Sequence, residues 1–508
     1  MLYNLIASLF SSCLLIERVR LCLIPTVSDS LGDAESPSDP DASVKSGRAV
    51  GAARTWSQQL QDRFHITLDS DLAAWFDEEL WRQLGNGEFA NAVSPETLLK
   101  PAPEPVWPPL MPPNFLPLVG SHSGDWLCLR LADGDAEGSG YDICHWYHGG
   151  GDWLPWGETL AEALLFDQLL PSLPASDQRH AIPSPMEVGR SNNSGGDAWH
   201  EWMVRCLPDS ASHLAANRCW ESGSRDWLDP LLQSNVCGAA VRCQLVIEAL
   251  GNELAKRLKP ADANRMGIPW NSIMKWCFDL RTLPHDILTR LKEAGLATED
   301  AADPGQQDWA KIETLCEQAH LVSPELAWPA ELLGYCRWQR GDQATGADAL
   351  RASIRCSVFT DQSVRLRTHW ATSGADGLAK FGAHWLTQTS ADDVGSSDSF
   401  SRNHANALPA SVEIADYLAC LTNREGGSVR NGVTTFLQSQ SQRFAAEGNA
   451  KDAVRCLYAA GWDLGAEPMS LYAELLNQLI EATRSADWLS HETFAQMHRD
   501  CFRKRYGV

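Results

Sequence analysis

Eight prolines fall between residues 101 and 117, and no regular helix can run through them. Each removes a backbone donor and fixes φ at about −65°, so this stretch must cross the molecule extended. It separates two kinds of pattern. Before it, Trp56, Leu60 and Phe64 recur at helical spacing, and Leu72, Trp75, Phe76 and Leu80 do so again with Asp71 near the start. After it the period changes. Trp126–Leu131 is a short apolar run set between Gly124-Asp125 and Asp133-Gly134, and Tyr141–Tyr147 is a second, which predicts a strand hairpin. Gly149-Gly150-Gly151 closes the second run, and Leu160–Leu170 reads as an amphipathic helix. Residues 54–170 are thus expected to form one α+β domain.

The rest of the chain is organised around that block. Met1–Ile16 is mostly apolar and is followed by Glu17, Arg18 and Arg20. The charge follows the apolar run, the reverse of an export signal, so residues 1–25 are expected to be a tail without stable membrane insertion. Residues 28–53 hold hardly any large apolar side chain and read as a disordered linker, giving 1–53 as tail and linker. Residues 171–197, with four prolines and Ser191-Asn-Asn-Ser-Gly-Gly196, read as another linker. From 198 to 508 the pattern is helical, with stripes such as Leu245, Val246, Leu250, Leu254, Leu258 and Leu471, Leu475, Leu476, Leu479, Ile480. Trp338–Leu350 and Phe444–Val454 share an aromatic, a Gly-Asp or Gly-Asn turn, and an alanine-rich start to a second helix. That outline is the one tetratricopeptide-like hairpins use, so 198–508 is expected to be an all-α helical-repeat or bundle region.

Charge and cysteine usage narrow the function classes. Lys plus Arg total 42 against 65 Asp plus Glu, a formal net charge of −23, which repels phosphate backbones and argues against nucleic-acid partners. The same charge favours a basic protein partner, with association that weakens in salt. The 15 cysteines contain no Cys-x-x-Cys pair, and Cys243, Cys316, Cys336 and Cys456 sit in apolar helical patterns. Buried thiols and a cytoplasmic location are expected.

No complete catalytic constellation is visible. Gly120-Ser-His-Ser-Gly124 resembles a nucleophile elbow but puts His122 at the apex where serine is required. Asp133–Gly138 starts like a calcium loop, yet Cys144 stands at its twelfth position. The densest cluster of polar chemistry is Cys144-His145-Trp146-Tyr147-His148 with Asp152. Strand alternation would send His145 and His148 to opposite faces, which opposes a metal site there. Expectation is therefore no catalytic residue, no metal and no cofactor, with a metal-dependent enzyme around His145, His148 and Asp152 as the alternative. The tryptophans of this block, Trp126, Trp146, Trp153 and Trp156, are too many for one small core, so one or two are expected at an interaction face.

Asn114–Leu131 resembles the SUKH superfamily, which groups fungal cell-wall-assembly regulators with bacterial immunity proteins. The likeness rests on Phe115-Leu116-Pro117 at a strand start, the Gly124-Asp125 pair, and the Cys-Leu strand Trp126–Leu131. It continues through Trp146-Tyr147-His148, the Gly149–Gly151 turn and the helix Leu160–Phe166. The resemblance implies a SUKH-like α+β N-terminal domain that binds protein without chemistry of its own, as toxin-neutralising immunity proteins do; a general regulatory scaffold is the variant within this class. Asp125, Trp126, His145, Trp146, His148, Asp152 and Trp153 are the candidate binding residues.

Overall fold

Thr55 starts the first helix, Trp56–Phe64 (α1), through a capping box: its hydroxyl accepts from the Gln58 amide while the Gln58 side chain accepts from the Thr55 amide. The computed structural model describes residues 54–83, 87–106, 111–132, 140–148, 153–169 and 196–207. In the second half it describes 326–356, 411–422, 429–460 and 469–507, with a few single positions between. The N-terminal tail and linker, residues 171–195, the 133–138 loop, Gly149–Gly151, Asp152, Cys243 and the Leu245–Leu258 stripe lie outside the described residues.

Helix α2 (Ser70–Asp77) follows, then a 3-10 turn at Leu80–Arg82, strand β1 (Phe89–Ala92) and a short helix α3 (Pro95–Leu98). Beyond the proline-rich crossing come β2 (Phe115–Ser121), β3 (Trp126–Leu131), β4 (Tyr141–Trp146) and β5 (Trp153–Gly157). The five strands form one antiparallel meander in the order β1-β2-β3-β4-β5. The expected hairpin is its centre, with Trp126 opposite Trp146 and Leu131 opposite Tyr141. Two strands carry prolines where a ladder tolerates them: Pro117 at a register shift of β2 and Pro155 on the edge strand β5.

Alternation along the strands gives the sheet two buried faces. Leu116, Leu118, Leu127, Leu129, Leu131, Ile143 and Trp156 pack into the main core with α1, α2 and helix α4 (Leu160–Leu169). Met111, Phe115, Cys128, Cys144, Trp146 and Trp153 form a smaller core on the other face. Helix α4 differs from its sequence reading. It is buried all round from Leu160 to Asp167, because α2 covers one side and the sheet the other. Its N-terminus is capped by Asp71 of α2, whose Oδ2 accepts from the Leu160 amide at 3.1 Å.

The main core runs past residue 170. Trp199, Trp202 and Met203 of helix α5 (Gly196–Cys206) join it, with the Trp202 indole N–H on the Asp71 carbonyl at 3.0 Å. Among the described residues, the helices of the second half are α6 (Ala327–Gln339), α7 (Gln343–Arg355), α8 (Ile414–Thr422), α9 (Val429–Ala446), α10 (Ala450–Tyr458), α11 (Met469–Ser485) and α12 (Leu489–Tyr506). Three helix pairs share one turn. A left-handed residue, Gly341, Gly448 or Asp487, precedes a cap residue at φ −88°, −93° or −94° with ψ 77°, 73° or 77°. In each, the cap amide reaches back five residues, as from Asp342 to Arg337, Asn449 to Phe444 and Trp488 to Thr483. Helices α8–α11 enclose a second core around Tyr417, Leu437, Leu457, Tyr472 and Leu479. Cys316, Cys336 and Cys456 are buried. No helix among the described residues is long and apolar enough to cross a membrane.

Helix α12 ties the two parts together. Phe494, Met497 and Cys501 enter the main core, and Phe494 meets Phe64 edge-on at 5.2 Å. His498 Nε2 donates to the Phe115 carbonyl at 2.9 Å, His491 Nε2 to the Ala132 carbonyl at 2.8 Å, and Ser490 Oγ to the His65 carbonyl at 2.5 Å. The described residues thus form a five-stranded antiparallel sheet with its helices, continuous with an all-helical part.

Buried ionisable groups give this arrangement a pH signature. Burial raises Glu162 to about 8 and Asp167 to about 7, the latter helped by the neighbouring Glu88 charge. Burial lowers His491 and His498 to about 4. The carboxyls stabilise the fold when protonated, so their contribution is full below about pH 4 and is lost as pH rises through 7 and 8. The histidines stabilise it when neutral, so theirs is full above 6.5 and is lost toward 4. The difference isolates one group: the stability of Asp167→Asn relative to the parent should rise by roughly 3 kcal/mol between about pH 5 and pH 8. Denaturant titrations at both pH values check this, and a pH-independent difference overturns the assignment of Asp167 as a neutral acid.

Candidate functional site

The turn between β2 and β3 builds the site. Ser121 ends β2, and its Oγ accepts from the Ser123 amide at 3.2 Å and the Asp125 amide at 2.9 Å, an arrangement hydroxyl side chains favour in turns. Gly124 sits at φ +97°, where an L side chain is strained, and a Cβ there would meet the His148 ring at 3.4 Å. The nucleophile-elbow outline at 120–124 is this turn. Ser123 Oγ reaches Glu88 Oε1 at 3.1 Å, joining the turn to the residue before β1.

Asp125 then turns its carboxylate inward, where it is 4% exposed. Oδ2 meets His145 Nε2 at 3.1 Å; Oδ1 meets His148 Nδ1 at 2.7 Å and accepts from the His148 amide at 3.0 Å. Burial works to raise the Asp125 pKa, but the hydrogen bonds and charge of the two imidazoles outweigh it and hold the carboxyl below the ordinary range. His145 is 2% exposed and enclosed by rings: Tyr147 stacks on it at 3.8 Å, with Trp156 at 4.6 Å and Phe89 at 5.0 Å edge-on. The side chain of His148 remains 46% exposed.

One expectation changes here. His145 and His148 do not part to opposite faces, because β4 ends at Trp146 and alternation does not extend to residue 148. His145 lies opposite Leu127, on the face to which Asp125 also points, and the chain beyond the strand folds His148 back onto the same carboxylate. The tryptophans divide between core and edge. Trp146 and Trp153 are buried in the smaller core and Trp156 in the main one, while Trp126 is half-buried. The meander makes both sheet faces interior, so three of the four tryptophans are core while Trp126 keeps part of its ring exposed.

Of the seven sequence-predicted residues, Asp125, His145 and His148 therefore come together. Trp126 stands beside them at the start of β3, Trp146 and Trp153 belong to the packing, and Asp152 lies outside the described residues. Ser121, Ser123 and Glu88 join the site unforeseen. Their signal was the serine spacing of the turn, which only the fold connects to Glu88. Among the described residues, no group of three His, Cys, Asp or Glu side chains is placed to hold a metal ion. Chemically, the arrangement is a carboxylate clamp: one buried anion fixing the His145 ring from the strand across the hairpin, and the His148 ring and amide from the chain just beyond it. No protein-family model, no curated protein and no solved structure matches the chain.

Proposed function

We propose that this chain is a non-enzymatic protein-binding protein, a SUKH-like α+β recognition domain continued by tetratricopeptide-like helical hairpins, acting on a basic partner of the toxin-like kind. Its place of action on this reading is the cytoplasm. One observation carries the choice of binding over catalysis. Two of the polar groups that the sequence singles out, Asp125 and His145, are turned inward at 4% and 2% exposure, where they hold the hairpin together. What the hairpin end presents outward is the half-exposed edge of Trp126 and His148, a surface suited to contact. The net charge of −23 supports a basic partner, and the shared turn of the three helix pairs supports the repeat reading.

The test is affinity capture from the source organism's lysate with the full-length chain as bait, at low and high salt. A second bait carries Trp126→Ala and His148→Ala together. We expect basic proteins that high salt releases, with retention at least tenfold lower on the double variant. Retention indifferent to both salt and the double variant would overturn the reading, as would an empty bait.

A further inference from the structure

We infer that Cys128 and Cys144 are a redox pair that closes into a cross-strand disulfide when the chain meets a low-molecular-weight disulfide such as oxidised glutathione. The two residues lie directly opposite each other in the β3–β4 register. Opposed residues of an antiparallel pair point to the same face with Cα atoms about 4.5–5.5 Å apart, inside the range a disulfide spans. One opposed pair of this register shows side chains meeting across the strands. Two residues along the same face, Arg130 and Asp142 are also opposite, and the guanidinium holds the carboxylate at 2.5 and 2.8 Å. On the other side Trp126 opposes Trp146, so the cysteines occupy the middle of one cross-strand stack.

The surroundings are those of a sulfur site closed to water. Both thiols are reduced and fully buried, Cys128 Sγ lies 4.0 Å from Met111 Sδ, and Trp146, Trp153 and Phe115 complete the smaller core around them. Burial pushes the Cys128 thiol well above its ordinary pKa, so thiolate forms when the hairpin opens and oxidation is slow. The reaction is two successive exchanges. The Cys128 thiolate attacks one sulfur of glutathione disulfide, making a mixed disulfide and releasing one glutathione thiolate. The Cys144 thiolate attacks Cys128 Sγ, forming the Sγ–Sγ bond and releasing the second. The two cysteine protons pass to the two glutathione thiolates, and the two electrons lost by the cysteines reduce the glutathione disulfide.

The staple would join the two strands that carry the carboxylate clamp, since Cys144 adjoins His145 and Cys128 stands three residues after Asp125. Cys206 and Cys420 provide the internal comparison, because both are more exposed than the pair. Full-length protein is equilibrated with a series of oxidised-to-reduced glutathione ratios, quenched by alkylation and mapped by peptide mass spectrometry without reduction. We expect one peptide pair linked through Cys128 and Cys144, appearing in a single two-electron transition and reversed by dithiothreitol. It should vanish in Cys128→Ala and in Cys144→Ala. Differential alkylation of the unsubstituted protein reads the same pair independently of how those variants fold. Glutathione on Cys206 and Cys420 with Cys128 and Cys144 still alkylated as thiols overturns the inference, as does a scatter of other linkages.

Discussion

Phe494→Ala should destabilise the protein by about 3–5 kcal/mol, the usual cost of truncating a buried phenylalanine. The informative part is where the loss registers. Phe494 belongs to α12, yet it is fully buried in the core of the sheet, edge-on to Phe64 of α1. The same helix caps the sheet with hydrogen bonds from His491 and His498 to the carbonyls of Ala132 and Phe115. Hydrogen exchange should therefore show Leu127, Leu129 and Ile143 losing protection along with α12. If those amides keep their parental protection while α12 loses its own, the shared core described above is wrong.

Asp125→Ala should cost a similar amount, on the order of 3–5 kcal/mol, for a different reason. It strands His145 Nε2 in the interior and releases His148 Nδ1 and its amide, three groups that one carboxylate now serves. Asp125→Asn should fall between, since an amide supplies an acceptor to one histidine and confronts the other with a second donor. The pH dependence identifies the cause. The folded pKa of Asp125 is depressed, so its stabilisation is complete above the ordinary carboxyl range and is lost as pH falls below it. Denaturant midpoints of parent and Asp125→Ala should converge in acid and separate toward neutrality. A gap that persists unchanged into acid would point to packing instead.

Much of the α+β part was legible because its signals are local. The Gly124-Asp125 and Tyr141 boundaries of the central hairpin depend on turn chemistry and apolar runs that a sequence displays directly. Strand β5 was not legible: Trp153-Leu-Pro-Trp-Gly157 carries a proline, and only its edge position makes that acceptable. The all-round burial of α4 was hidden for the same reason, since its acidic residues Glu162 and Asp167 look like a solvent face until α2 and β1 cover them. At the site, Asp125, His145 and His148 could be listed but not joined. Alternation is a rule about strands, and where β4 stops is a tertiary fact. The third helix pair went unseen because Asp487-Trp488 supplies, without glycine, the left-handed turn that Gly341 and Gly448 make obvious.

The bond from His498 to Phe115 spans 383 positions, and that separation is also an interval of time. At ribosomal speeds of about 5–20 residues per second, strand β2 would wait roughly 20–80 s for the helix that covers it. Throughout that interval the apolar patch meant for Phe494 and Met497 faces the crowded surroundings of a growing chain. Newly made chains of this kind would need shielding by a holdase until α12 emerges, and the yield of folded protein would depend on how long that wait lasts.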